Sequence, residues 1–252
     1  MKKARLKKSM AFLLLSAILV GFIGFVEKQS LYKTYQGTQI SIKGVSGVYF
    51  VEEEEIEQII KSAFPSLKVG LMLEEVPLKE LERRIAGHPF VKSAEVTLGQ
   101  KGILNVSIQQ YQPIARIARP YASDGYITTE GKVIPTSPSY TSRVLILEGK
   151  LAERMIEKGN VEVEMPEVME LIKYITEDDF WNAQITEVEL NSTTDIRLHQ
   201  QVGRQVIEFG DALDLEDKFE RIQIFYKEIL PRKGWDAYKR VSVKFKDQIV
   251  CE

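Results

Sequence analysis

The residues that most constrain this chain are the eighteen from Ser9 to Val26, SMAFLLLSAILVGFIGFV, none of them charged. Lys2, Lys3, Arg5, Lys7 and Lys8 precede the run, and Glu27 and Lys28 follow it. An apolar helix of about 17–25 residues crosses the hydrocarbon core of a bilayer with its backbone hydrogen bonds satisfied internally. Cations confined to one side hold that side in the cytoplasm. A cleavable signal peptide is the competing reading, but its apolar core is about 7–15 residues and ends in a small-x-small site. This run is longer and leaves through Gly24-Phe25-Val26-Glu27-Lys28, with bulky groups where the small pair would be. A buried core helix would not be apolar on every face. The expectation is an uncleaved single-pass anchor at 9–26 in the cytoplasmic (inner) membrane. The tip at 1–8 is then cytoplasmic and the bulk of the chain periplasmic.

Charge and cysteine usage narrow what lies beyond the anchor. Of 34 basic and 36 acidic residues, five basic ones and no acidic ones fall within 1–26, which leaves 29 against 36, a charge of −7. A mildly acidic domain with no basic stripe argues against nucleic acid, whose phosphates demand Lys and Arg clusters. Cys251 is the only cysteine, so the fold is held by its hydrophobic core and not by an internal disulfide.

Residues 27–39 are polar and aperiodic, and read as a juxtamembrane linker. Ile40–Gly44 is a short strand. Ile56, Ile59, Ile60, Ala63 and Phe64 follow helical spacing over 51–64, with Glu52 to Glu55 in the first turn, where the helix dipole favours carboxylates, and Pro65 as the stop. A second helix opens at Pro77, carries Leu78, Leu81 and Ile85 on one stripe, and closes at Gly87. Two strands follow. Val91–Leu98 sets Ala94, Val96 and Leu98 on one face, and Ile103–Gln110 sets Leu104, Val106 and Ile108 inward. This β-α-α-β-β order makes a two-layer domain over 40–112. Pro113 marks the boundary.

Over 113–252 the pattern turns to short strands at 114–119, 125–129, 132–135, 144–147, 185–190, 195–200 and 205–209. A helix opens at Pro166, and a longer one runs from Leu215 to Leu230, ended by Pro231 and Gly234. A last strand spans Val241 to Val250. The fold class is α+β, with a second, β-rich domain containing two or three helices.

Several of these residues carry a resemblance. The β-α-α-β-β order is similar to a POTRA module. His88-Pro89-Phe90-Val91-Lys92-Ser93-Ala94-Glu95-Val96 resembles the HPWVKSAEV element of the FtsQ/DivIB family, with Phe90 in place of Trp. Tyr126 to Val133 resembles the family's (Y/L)-x-D-x-x-G-x-V hairpin, with Thr128 in place of Asp, and Val241 to Val250 resembles its closing IDLRYxNQIV. There Ser242 replaces Asp and Lys244 replaces Arg. The resemblance implies a non-enzymatic scaffold of the divisome at the division septum. Its partners would be FtsB/FtsL-like bitopic division proteins and other divisome components, linked to septal wall synthesis. POTRA modules also serve outer-membrane protein assembly and secretion. That role calls for a following membrane barrel of at least eight strands of about ten alternating residues, which the short strands and helices of 114–252 do not match.

No catalytic, cofactor-binding or metal-binding set is legible, and no small-molecule substrate is expected. His88 and His199 lack a partner within a helical turn, and His88, before a proline at a helix end, reads as a packing or capping residue. No H-E-x-x-H, G-x-S-x-G or P-loop pattern occurs. The acidic runs Glu52–Glu55 and Glu177–Asp179 read as a solvated helix start and a helix-ending turn. Partner binding is the remaining chemistry. The alternation of Val241, Ser242, Val243, Lys244, Phe245 and Lys246 near the chain's end suits a strand with one buried face. Such a strand either only completes the fold or is an open edge that pairs with a partner strand. The resemblance implies the second, with Gln248 and Ile249 continuing the docking strand and the lysines reading an acidic partner.

Overall fold

Alternation of period 2 and stripes of period 3.6 give the chain its elements, and the computed structural model describes them for residues 15–21, 34–43 and 50–252. Two units form: one from 1–43 with 51–110, the other from 44–50 with 111–252. Residues 15–21 are helical, with Leu15, Ile18, Leu19 and Val20 exposed. The rest of the expected anchor and most of the linker lie outside the described residues. Among the described residues, no helix is long and apolar enough to cross a membrane.

The first unit comprises β1 (Gly37–Lys43), α1 (Glu53–Ala63), α2 (Leu78–Ala86), β2 (Val91–Leu98) and β3 (Ile103–Gln110). The sheet runs β1-β3-β2, with β1 parallel and β2 antiparallel to β3. Glu52 and Glu55 close a capping box at the start of α1, and Gly87 caps α2. Ile56, Ile60, Leu81, Ile85, Val96, Leu104, Val106 and Ile108 are all buried. Leu98 is not. It shares the face of Val96 but is 42% exposed, because it is the last residue of an edge strand. The β2–β3 turn needs glycine at 102. Its φ is +80°, and an added Cβ would lie 2.0 Å from the Thr34 carbonyl oxygen.

The second unit is a nine-stranded sheet of order β12-β11-β10-β9-β8-β7-β4-β5-β6. Its strands are β4 (Pro113–Ile117), β5 (Gly125–Thr128), β6 (Val133–Pro135), β7 (Leu145–Glu148), β8 (Ile185–Ser192), β9 (Asp195–Gln200), β10 (Val206–Gly210), β11 (Arg240–Ser242) and β12 (Val250–Cys251). Inward residues such as Leu147, Val188, Leu190, Leu198, Ile207 and Phe209 share one core with the helices. The residues between them, including Glu187, Glu189, Arg197, His199 and Glu208, are half-buried.

More helix is present than the sequence pattern suggests. α3 (Lys150–Lys158), α4 (Val161–Glu164) and α6 (Asp179–Gln184) join the expected α5 (Pro166–Glu177). Asp178 does two jobs, ending α5 and accepting the Phe180 and Trp181 amides at 2.9 Å to cap α6. The long helix is α7 (Leu215–Ile224), a π-turn (Phe225–Ile229) and α8 (Leu230–Lys233). Pro231 does not stop it, since it falls in the first turn of α8, where a missing N–H is tolerated. Gly234, at φ 100°, does. The expected strand from Val241 to Val250 is also corrected: it breaks after Ser242 and returns as β12.

Candidate partner-docking edge

The sheet's final hairpin is placed by the crossover β10-α7-β11. Leu215, Phe219, Ile222 and Phe225 bury one side of the helix, and the chain returns parallel to β10, with Ile207 facing Val241 and Glu208 facing Ser242. A turn through Lys246 and Asp247, the latter at φ 55°, reverses it. β12 then runs back antiparallel, pairing Val250 with Ser242 and Cys251 with Val241. Lys239 and Arg240 amides both donate to the Glu252 carbonyl, at 2.6 and 3.0 Å, and the Glu252 amide donates to Arg240 at 3.0 Å. Antiparallel bonding alternates along a strand. Since residue 252 bonds inward, the N–H and C=O of Cys251 point away from β11. Among the described residues β12 has no strand on that outer side.

The expected docking residues therefore divide by depth. Val241 and Val243 are fully buried in the core, and Ser242 is buried with its hydroxyl unpartnered. β11 has neighbours on both sides and is not the edge. Lys244, Phe245, Lys246 and Gln248 are exposed, while Ile249 is half-buried against the core. Lys244 is already engaged. Its ammonium lies 3.2 Å from Glu208 and 5.4 Å from the centre of the Phe245 ring. Lys246 has no ion pair among the described residues. Burial pushes the Cys251 thiol up from its ordinary range, which makes it a poor nucleophile.

Four groups that the sequence pattern does not single out shape this region: Arg221, Arg240 and Gly210 touch the hairpin itself, and Lys218 ties the helix to the end of β10. Arg221 is buried on α7. It donates to Asp217 at 2.6 Å and to the Val243 carbonyl at 2.8 Å. Arg240 lies between Glu208, at 3.6 Å, and Glu252. Lys218, also buried, donates to the Asp211 carbonyl at 2.9 Å and pairs with its carboxylate. Burial would raise the Asp211 pKa, but the Lys218 ammonium and backbone N–H groups together hold it low. Gly210, at φ +86°, lets Lys244 pass close by, since an added Cβ would meet the lysine's own at 2.7 Å. A cation inside an apolar helical stripe was the available signal: Lys218 and Arg221 sit among Leu215, Phe219 and Ile222.

The histidines fit no catalytic pattern. His88 packs against Phe90 and lies 4.0 Å from Glu55, and burial lowers its pKa more than Glu55 raises it. His199 lies 3.8 Å from Glu187 and 3.5 Å from Glu189, across the β8–β9 pair. Among the described residues, no three His, Cys, Asp or Glu side chains gather as a metal-holding group.

No curated protein matches the chain. Two family models do. A POTRA-like domain matches residues 33–109, over the β-α-α-β-β unit. A model described as FtsQ/DivIB, C-terminal related, matches residues 112–252, over the nine-stranded unit and its terminal hairpin. A match across more than half the chain, with a POTRA-like domain ahead of it, makes this protein a member of the FtsQ/DivIB family of cell-division proteins.

Proposed function

We propose that this protein is a non-enzymatic, single-pass scaffold of the divisome that recruits an FtsB/FtsL-like bitopic partner by strand addition at the β12 edge. The observation that supports this most directly is the outward-facing N–H and C=O of Cys251 on a strand with no outer neighbour among the described residues. An added strand receives backbone hydrogen bonds there. Phe245 supplies half-exposed apolar surface, and Lys246, in no ion pair among the described residues, supplies a cation beside the edge, which speeds and selects association with an acidic segment. Val241, Ser242 and Val243 support the edge from beneath. The family implies a role at the division septum, and in this reading the run 9–26 holds the two units at the membrane on its far side, with residues 1–8 in the cytoplasm. The alternative of outer-membrane protein assembly finds no support, because the described strands form an open sheet with helices packed on it.

The test is co-purification of the detergent-extracted full chain with the FtsB-type protein of its own organism. The wild-type chain retains the partner. Lys246→Glu, which leaves the Lys244–Glu208 pair intact, weakens retention, and Lys244→Glu with Lys246→Glu abolishes it while the protein still melts cooperatively. Undiminished retention by the folded double variant places the docking surface elsewhere.

A further inference from the structure

The hairpin that carries the β12 edge hangs on little. β11 shares only three register positions with β10, from Val206 opposite Arg240 to Glu208 opposite Ser242. One backbone bond, from the Val243 amide to the Glu208 carbonyl at 3.0 Å, closes the far end. Beyond Val243 the chain leaves the sheet. At that residue a buried guanidinium from a different element intervenes. Arg221 donates through Nη2 to the Val243 carbonyl and through Nη1 to Asp217, and its Nε is buried with no partner among the described residues. Burying an arginine with one N–H unmatched is unfavourable, because each desolvated donor without a partner costs free energy. A methionine or leucine would fill the same space on α7 without that cost. What the arginine adds is a fixed link between the helix and the carbonyl at the strand's end.

That carbonyl matters for register. If Val243 continued the strand, β11 would lengthen, the turn would move outward, and the residues of β12 facing β11 and facing outward would change. A one-residue slip in a strand reverses which groups face its neighbour. We infer that Arg221 is a positioning residue: by holding the Val243 carbonyl it sets where β11 ends, and so sets which backbone groups β12 presents at the open edge. This rests on the docking reading above and extends it to a residue that does not touch the partner.

The experiment pairs two readouts on the full-length chain in detergent: amide hydrogen exchange, and capture of the FtsB-type protein. In Arg221→Met the amides of Val243 and Glu252 lose protection at least tenfold, those of β8 and β9 do not change, and capture falls at least tenfold well below the melting temperature. In Asp217→Ala, which leaves the Val243 bond in place, capture falls less than threefold. Should Arg221→Met not fold, Arg221→Lys, which keeps the charge but not the fork, takes its place in the same two assays. Full protection and full capture in either folded variant overturn the inference, and so does equal loss of capture in Asp217→Ala. Failure of the wild-type chain to capture the partner overturns the docking reading instead. In that case the exchange pattern alone still decides whether Arg221 holds the hairpin.

Discussion

At the scale of single residues, depth decides what a substitution costs. Ile60 is 3% exposed on α1, so Ile60→Ala removes most of a buried side chain and lowers the stability of the first unit by about 2–4 kcal/mol. Leu98 belongs to the same apolar alternation but is open to solvent, so Leu98→Ala changes stability by less than about 0.5 kcal/mol. Denaturant titration of the two variants distinguishes them. His88 makes the first unit sensitive to acid. Burial lowers its folded pKa below the ordinary value of 6.5, so the unfolded chain takes up the proton first. The stability tied to neutral His88 is fully present above about pH 6.5 and is lost as pH falls through the folded value. Melting His88→Gln beside the wild type from pH 7.5 to 5 shows the gap between them narrowing as pH drops. A gap that widens in acid contradicts the burial argument. The apolar core was legible residue by residue because periodicity reports burial directly. Lys218 and Arg221 were not, because a cation in an apolar stripe does not say which carbonyl it has found, that of Asp211 before the helix or that of Val243 after it.

At the scale of elements, helix ends and strand ends behave differently. Asp178 accepts two amide hydrogens at the start of α6, so Asp178→Ala lowers the stability of the second unit by about 1 kcal/mol; a loss indistinguishable from zero in urea denaturation means that the cap is not used in solution. The run Glu177–Asp179 was legible as a break but not as a restart, because α6 is only six residues long and shows too little of a stripe. The long helix shows a second limit. Its π-turn inserts one residue, with the Leu230 amide bonding back to Phe225. The buried stripe therefore passes through Phe225 and Tyr226 to Leu230, and Ile229 is only half-buried. Burial pushes the Tyr226 hydroxyl up to about 12, against the Gln184 hydrogen bond, and it donates to Gln200. The terminal strand was misread for a related reason. Val-Ser-Val-Lys-Phe-Lys alternates past the point where pairing stops, and the stop is imposed by tertiary contacts, by Arg221 on Val243 and by the close passage of Lys244 over Gly210. Propensity and alternation contain neither.

At the scale of the whole molecule, a POTRA-like unit precedes a nine-stranded sheet whose terminal strands are β12 and β6. The topology has its own check. Protease added to spheroplasts degrades the chain beyond residue 27, and the N-terminal residues stay attached to the membrane fraction. Full protection contradicts the orientation, and a mature chain starting near residue 27 contradicts the anchor. The central claim, though, is that backbone groups on β12 receive the partner, and one substitution addresses it directly. Cys251→Pro removes the N–H that faces outward, and an edge strand tolerates proline because that N–H bonds nothing within the fold. Cys251→Thr keeps the N–H and removes only the thiol. Capture of the FtsB-type protein by the two full-length variants is the decisive measurement. Cys251→Thr captures the partner as the wild type does and Cys251→Pro, folded and equally stable, does not; normal capture by folded Cys251→Pro would contradict strand addition at β12.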